Sequence, residues 1–229
     1  MTALARRAGE GPEWAKGGLG LWGSEVHIML KSLGGSWAGM GGAAPAAGAA
    51  GPELLRMARN VLVACGRDPV AFSELAAHVF EIIRSPFWLR AMRSPRRLYE
   101  VPFSVRIERG DAEYGDLAAA VGPVPAAGGK PVVPVPGAPI LLSGAVDLLF
   151  EEEGGWIIAD YKTDRLPRAL DGARAEDRDR ALAILVDHYR PQVELYTRFW
   201  ARITGDKVNE SGLYFTALGR WVRIETVSG

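Results

Sequence analysis

The stretch Leu141–Asp164, LLSGAVDLLFEEEGGWIIADYKTD, constrains the fold of this 229-residue chain more than any other. Two apolar, β-branched runs flank Glu153-Gly154-Gly155, so the segment reads as two strands joined by a tight turn. Side chains alternate along a strand, which puts Asp160 and Lys162 on one face. Asp147 sits in the first run between Val146 and Leu148-Leu149-Phe150. A carboxylate in so apolar a setting is costly unless a cation or donors satisfy it. If the turn is tight, the antiparallel strands bring Asp147 and Asp160 together beside the lysine. Two acids that share a divalent cation next to an ammonium are the groups that metal-dependent phosphodiester hydrolysis uses. The D-x-K spacing alone also occurs in ordinary surface ion pairs; the apolar run Trp156–Ala159 before it gives it weight.

The rest of the chain reads as helices first and sheet afterwards. Residues 1–21 carry no apolar pattern and read as a flexible segment. Ser24 is a candidate cap for a helix over Glu25–Leu33, with Val26, Met29, Leu30 and Leu33 as its apolar stripe. Gly34–Gly51 is Ala/Gly-rich and reads as a loop. Pro52–Cys65 is helical and ends at Gly66, and Phe72–Arg84 is helical with Ser73 as a candidate cap. Ser85-Pro86 restarts a short helix through Met92. Leu98–Glu108 then alternates as a strand, where Pro102 implies an edge or a bulge. Pro123–Pro139 reads as a mobile Pro/Gly/Ala insertion. Leu166–Arg180 reads as charged, exposed and partly helical. A helix lies within Asp187–Ile203, with its start expected near Pro191. Ser211–Leu218 and Arg220–Thr226 form a closing hairpin that turns at Gly219. The sum is an α/β chain, an α+β arrangement built on a mixed sheet with one crossing helix.

Composition narrows the chemistry. Lys+Arg and Asp+Glu balance at 27 each, which argues against a broad electrostatic grip on nucleic acid but leaves room for a local one. Cys65 is the sole cysteine, so the chain builds no disulfide framework, structural zinc site or cysteine-ligated iron–sulfur cluster by itself. No segment reads as a signal peptide or membrane span, which makes a cytoplasmic location the simplest expectation and a membrane partner unexpected. A GxxxxGK[ST] phosphate loop is absent from the sequence, so no ATP site of that type is expected. Arg84–Arg97 holds five arginines and no acid around Phe87 and Trp88. It reads equally as a phosphate- and base-contacting segment or as a solvated helix face with buried aromatics.

Gln192 and Tyr196 stand four apart on the last helix and share a face. His27 lies early in the first helix; a lone helical histidine is more often structural than a ligand. Glu100 is a candidate for orienting the site, or a plain surface acid on an edge strand. His78 and His188 lie in no pattern and read as non-catalytic.

Five segments occur in a specific order: GSEVH (Gly23–His27), YEVPF (Tyr99–Phe103), GAVDLLF (Gly144–Phe150), IADYKTD (Ile158–Asp164) and YRPQVELY (Tyr189–Tyr196). Together they resemble the RecB-family nuclease domain of the PD-(D/E)XK superfamily, and most of all the C-terminal nuclease domain of AddA-type helicase–nucleases. The resemblance implies a restriction-endonuclease-like core with flanking helices, over residues 22–229. Its helical part would be 22–97 and its sheet core 98–229. His27, Asp147, Asp160 and the Tyr161 carbonyl would ligate Mg²⁺ or Mn²⁺. Lys162 would orient or deprotonate the attacking water, Gln192 and Tyr196 would support it, and Glu100 would assist. Ser24 stands where the family often has threonine, which keeps the hydroxyl. The lone cysteine departs from the iron–sulfur branches of the family.

The function so implied is that of a metal-dependent DNA exonuclease domain in double-strand-break repair and recombination. It would be a piece of a longer chain, acting on single-stranded DNA ends fed by an N-terminal helicase domain, with a second helicase–nuclease subunit. A free-standing exonuclease of this family and a catalytically dead, DNA-binding scaffold are the alternatives. The presence of His27, Asp147, Asp160 and Lys162 counts against the scaffold.

Overall fold

The computed structural model describes residues 23–37, 50–112, 114–120, 137–167 and 170–225. The expected flexible segment at 1–21 lies outside them, as do most of the Ala/Gly-rich loop and of the Pro-rich insertion. Four helices come first: α1 (Gly23–Ser36), α2 (Pro52–Ala64), α3 (Phe72–Arg84) and α4 (Pro86–Arg93). Strand β1 (Arg97–Ile107) and a short helix α5 (Tyr114–Ala120) follow. The chain continues through β2 (Ile140–Glu152), β3 (Gly155–Lys162), the long helix α6 (Ala175–Thr204), β4 (Val208–Phe215) and β5 (Arg220–Ile224).

The five strands form one mixed sheet in sequence order. All neighbours are antiparallel except β3 and β4, which are parallel and joined through α6. A parallel pair needs such a crossover, since a hairpin cannot reverse direction twice. The β2–β3 turn has the chemistry its sequence promised. Glu153 and Gly154 both adopt positive φ, 52° and 72°, which is the backbone a two-residue hairpin with right-handed twist requires.

Helices cover both faces of the sheet. On one face α1–α4 pack over Leu148, Phe150, Ile157, Ala159, Tyr161 and Tyr214. On the other, α6 lays Leu185, Tyr189 and Val193 against Leu213 and Phe215. Farther along α6, Tyr196 meets Leu149, Trp156 and Ile158. Central β3 is therefore buried along its whole length.

Several local expectations are corrected. α1 runs through Gly34 to Ser36, past the expected end at Leu33. A Cβ on Gly34 would collide with the Tyr99 ring, so the missing side chain is what lets α1 lie against β1. Ser24 lies inside α1 rather than ahead of it. Ser73 caps nothing: a 3₁₀ turn at Pro69–Ala71, capped by Asp68, leads straight into α3. Ser85 does cap α4, accepting from the Trp88 N–H.

The largest correction concerns α6, which begins at Ala175 and carries Pro191 in its interior. Proline there removes the bond to the Asp187 carbonyl. Both Pro191 and Asp187 are exposed, so the loss falls on the solvent side of the helix, where an unpaired carbonyl costs little, and the helix continues. The apolar stripe Leu182, Leu185, Val186, Tyr189, Val193, Tyr196, Phe199 passes through the proline with helical spacing.

In the arginine-rich segment the aromatics pack inward, while Arg93 and Arg96 stay exposed. Trp88 is fully buried, and Phe87 stacks on Trp221 and Tyr214 at 4.4 and 4.9 Å. Arg90 forks between Glu152 and Glu210, Arg96 lies over the Trp156 ring, and Arg97 donates to the Met92 and Ser94 carbonyls.

Candidate active site

The site forms where the sheet loses its regularity. Antiparallel register sets Glu100 opposite Asp147 on β1 and β2, yet this is the one step of the ladder that is skipped. Glu100 takes a positive φ of 50°, which is uncommon for a residue with a side chain. The alternation of faces slips there in both strands. Leu98 and Val101 pack on the same side, as do Val146 and Leu149, although strict period-two alternation would separate each pair. Pairing of β2 with β3 also stops at Leu148↔Ala159, one step short of Asp147 and Asp160. Backbone groups freed in this way must find partners, and the Asp147 carboxylate supplies one: Oδ2 accepts the Tyr161 N–H at 2.6 Å.

Two groups of side chains result. In the first, His27 Nδ1 on α1 lies 3.4 Å from both Glu100 Oε1 and Asp147 Oδ1. The ligand-type atoms of these three residues all fall within 4.8 Å of one another. The Tyr161 ring, buried beneath, meets the His27 ring edge-on at 5.6 Å. In the second group, Lys162 Nζ lies 2.7 Å from Asp160 Oδ2 and donates to Gln192 Oε1 at 2.9 Å. The Gln192 amide donates onward to Asp160 Oδ1 and to the Tyr196 hydroxyl, at 3.2 and 2.6 Å. This places Gln192 on the lysine and the acid of β3, with Tyr196, four residues on along α6, holding the Gln192 amide.

Electrostatics tie the two groups together. Burial alone would lower the His27 imidazole, but the charge and hydrogen bond of Asp147, joined by those of Glu100, raise it to about 10. Burial pushes Asp147 up, yet His27, Lys162 and the Tyr161 N–H hold it below the ordinary carboxylate value. Burial raises Asp160 most; Lys162 opposes it and the Asp147 charge adds to it, leaving about 6. Neighbouring carboxylates pushed apart in this way are a recurring mark of sites that handle protons or cations. One imidazole and two carboxylates, with a third carboxylate in the adjacent group, form a hard donor set suited to Mg²⁺ or Mn²⁺.

Every residue singled out from the sequence lies in this constellation: His27, Glu100, Asp147, Asp160, Tyr161, Lys162, Gln192 and Tyr196. Glu100, expected only to assist, stands inside the histidine–carboxylate group, whereas Asp160 is engaged by Lys162 and Gln192. Two further residues were missed. Lys162 Nζ sits 4.1 Å above the Tyr189 ring centre, and the Tyr189 hydroxyl donates to Asp164 at 3.0 Å. The spacing 189–192–196 on one helical face was the available signal. Glu25, also passed over, is buried in the first turn of α1 and held by Arg67 Nε at 3.0 Å, which ties the helix that carries His27 to the loop after α2.

Comparison with known proteins gives a consistent answer. Residues 5–220 match the model of the PD-(D/E)XK nuclease superfamily. Among curated proteins, the chain is 29% identical over 198 residues to an ATP-dependent helicase/nuclease subunit of Heliobacterium modesticaldum, covering 86% of this chain and 12% of that protein. It is 30% identical over 168 residues to the protein of the same name from Carboxydothermus hydrogenoformans, covering 73% and 12%. It is 35% identical over 127 residues to that of Bacillus velezensis, covering 56% and 8%. The chain thus spans about an eighth or less of the length of these relatives.

Proposed function

The chain belongs to the PD-(D/E)XK nuclease superfamily, and on that premise we propose that it hydrolyses DNA phosphodiester bonds as an exonuclease dependent on Mg²⁺ or Mn²⁺. The observation that carries this reading is the meeting, on one kinked sheet, of a histidine–carboxylate group and a lysine held by an acid and an amide. In this reading His27, Asp147 and Asp160 hold the cation, with the Tyr161 carbonyl and with Glu100 at hand. A bound divalent ion supplies Lewis-acid stabilisation of phosphoryl charge and an acidified water.

The chain's own residues do the positioning. Gln192 and Asp160 direct the Lys162 ammonium, and the Tyr189 ring beneath supports it, so the charge is preset for the water or for the developing negative charge. Tyr196 fixes the Gln192 amide in the orientation that accepts from the lysine. His27 closes the cation group from α1.

The relatives' names support a helicase–nuclease context, and the rest of the substrate and partner reading extends the resemblance of the five sequence segments. The domain, taken as residues 22–229 with a helical part 22–97 and a sheet core 98–229, would act on single-stranded DNA ends. It would do so within a helicase–nuclease of the AddA type, beside a second subunit, in double-strand-break repair. Among the described residues no helix is long and apolar enough to cross a membrane.

The test is cleavage of labelled single-stranded DNA with Mg²⁺ or Mn²⁺ by the wild type, Lys162→Ala and Asp160→Ala. Metal-dependent cutting lost in both variants is expected. A folded wild type that neither cuts nor binds Mn²⁺ by calorimetry would refute the enzyme in favour of a scaffold.

A further inference from the structure

The cleft between β1, β2 and the C-terminal half of α6 contains a cavity of about 290 Å³ that no role above uses. Phe103, Tyr196, Phe199 and Trp200 line it. The Phe103 ring meets Tyr196 edge-on at 5.4 Å and Phe199 at 6.5 Å. Val101 and Val146 complete the apolar lining, and they are the chain neighbours of Glu100 and Asp147. Tyr196 belongs to both places: its ring borders the cavity while its hydroxyl receives the Gln192 amide. The cavity reaches solvent at Ser104, which is exposed, and at Ile203, which is 56% exposed.

We propose that this aromatic cavity receives one unstacked nucleobase of the DNA strand whose backbone lies at the cation group. The inference rests on the nuclease reading and adds a substrate subsite to it. Size selects the occupant: an apolar cavity of roughly 150 Å³ takes up a benzene ring, so this one has room for a one- or two-ring heterocycle but not for a whole nucleotide. Chemistry selects it as well. Aromatic rings bind planar bases through their faces and edges, contacts that an aliphatic ligand, which gains only burial, does not make. Location selects the strand, because Glu100–Val101 and Val146–Asp147 join the cation group and the cavity through single peptide steps. The mouth at Ser104 lies four residues along β1 from Glu100, roughly 13 Å at about 3.3 Å per residue, so a base drawn into the cavity belongs to a neighbouring nucleotide of the strand rather than to the one whose phosphate lies at the cation group. Duplex DNA keeps its bases stacked and paired, so the subsite favours single strands. The lining is almost wholly apolar, so it reads a ring rather than hydrogen-bonding edges, and the subsite is tolerant of base identity.

The test uses two measurements on the full chain. In the first, single-stranded oligonucleotides carrying one abasic site at successive positions are cleaved with Mn²⁺. The expected result is a drop of roughly 10- to 100-fold in cutting at the phosphodiester one fixed step from the abasic position, the usual worth of a base–aromatic contact. Ile203→Trp and Ser104→Trp, which plug the mouth from opposite lips at exposed positions, should slow cleavage of the intact strand and erase the abasic effect. In the second, an oligonucleotide containing 2-aminopurine is bound in Ca²⁺, and its fluorescence is followed with wild type and both plugged variants. A fluorescence change on wild type that both plugs remove is expected. Uniform cleavage across the abasic series, or plugged variants that cut and bind like wild type, would overturn the subsite while leaving the nuclease intact. Should no DNA be cut, the nuclease reading fails, and the fluorescence measurement alone decides whether the cavity takes a base.

Discussion

Replacing Gln192 by methionine perturbs the lysine-holding group and leaves the contacts among His27, Glu100 and Asp147 in place. The amide makes three hydrogen bonds: it accepts from Lys162 Nζ at 2.9 Å and donates to Asp160 Oδ1 at 3.2 Å and to Tyr196 at 2.6 Å. Bonds to charged groups are each worth about 1.5–3 kcal/mol when a partner is lost. Lys162 and Asp160 remain 2.7 Å apart in the variant, so neither buried charge is orphaned and the total falls to about 2–3 kcal/mol. If that loss is felt where the lysine acts, the cleavage rate should fall by about 30- to 150-fold, at 1.36 kcal/mol per decade. Gln192 bonds to one proposed cation ligand, Asp160, and to none of His27, Glu100 and Asp147, so the affinity for Mn²⁺ should fall by less than the rate does, by no more than about fivefold, roughly 1 kcal/mol at RT ln 5. Single-turnover cleavage of labelled single-stranded DNA gives the first quantity and calorimetry the second. A rate within twofold of wild type would refute the argument. So would a rate loss matched by an equal loss of Mn²⁺ affinity, because Gln192 would then be acting through the cation.

Four shorter predictions concern other parts of the molecule. Mn²⁺ at 100 times its dissociation constant should stabilise the wild type by about 2.7 kcal/mol, a rise in Tm of roughly 5–10 °C, and Asp147→Asn should abolish most of the shift; an undiminished shift places the ion elsewhere. Arg90→Met strands Glu210, whose carboxyl Arg90 and the Trp221 indole hold below the ordinary value against the pull of burial, and should cost about 2–3 kcal/mol; a melting curve within 1 °C of wild type contradicts this. His78 is pushed down to about 4 by burial and by Arg165, so the unfolded chain binds the proton more tightly. Stability from this residue is complete above the unfolded value near 6.5 and falls by about 1–3 kcal/mol as pH drops toward 4; denaturant titrations should show His78→Gln with a flatter profile over that window. Finally, Gly34→Ala should lower Tm by several degrees, since its methyl would collide with the Tyr99 ring that packs α1 against β1, and Tyr99→Leu in the same chain should recover part of the loss.

How far the sequence reached depended on the range of the forces involved. The β2–β3 hairpin was legible because its turn is decided by two adjacent residues, Glu153 and Gly154, whose positive φ the following glycine and the twist of the strands support. The same holds for the helix restart at Ser85-Pro86, for the helix end at Gly66 and for the alternation that puts Asp160 and Lys162 on one face. The start of α6 was misplaced because proline is a local breaking signal, while its tolerance depends on Pro191 and Asp187 both facing water, a tertiary circumstance. The arginine-rich helix was ambiguous for a related reason. Nothing near Arg90 announces that Glu152 and Glu210, 62 and 120 residues away, will be brought to it.

By itself, the sequence determined the cast of the candidate site and most of the elements that carry it, because side-chain chemistry and periodicity are properties of short stretches. Only the tertiary structure decided the pairing of that cast. The register of β1 on β2 set Glu100 against Asp147 and His27, the crossover through α6 set Gln192 on Lys162, and the same helix on β1 and β2 encloses an aromatic cavity. Those relations join residues far apart in the chain, and they exist only once burial of the apolar faces has fixed a single register.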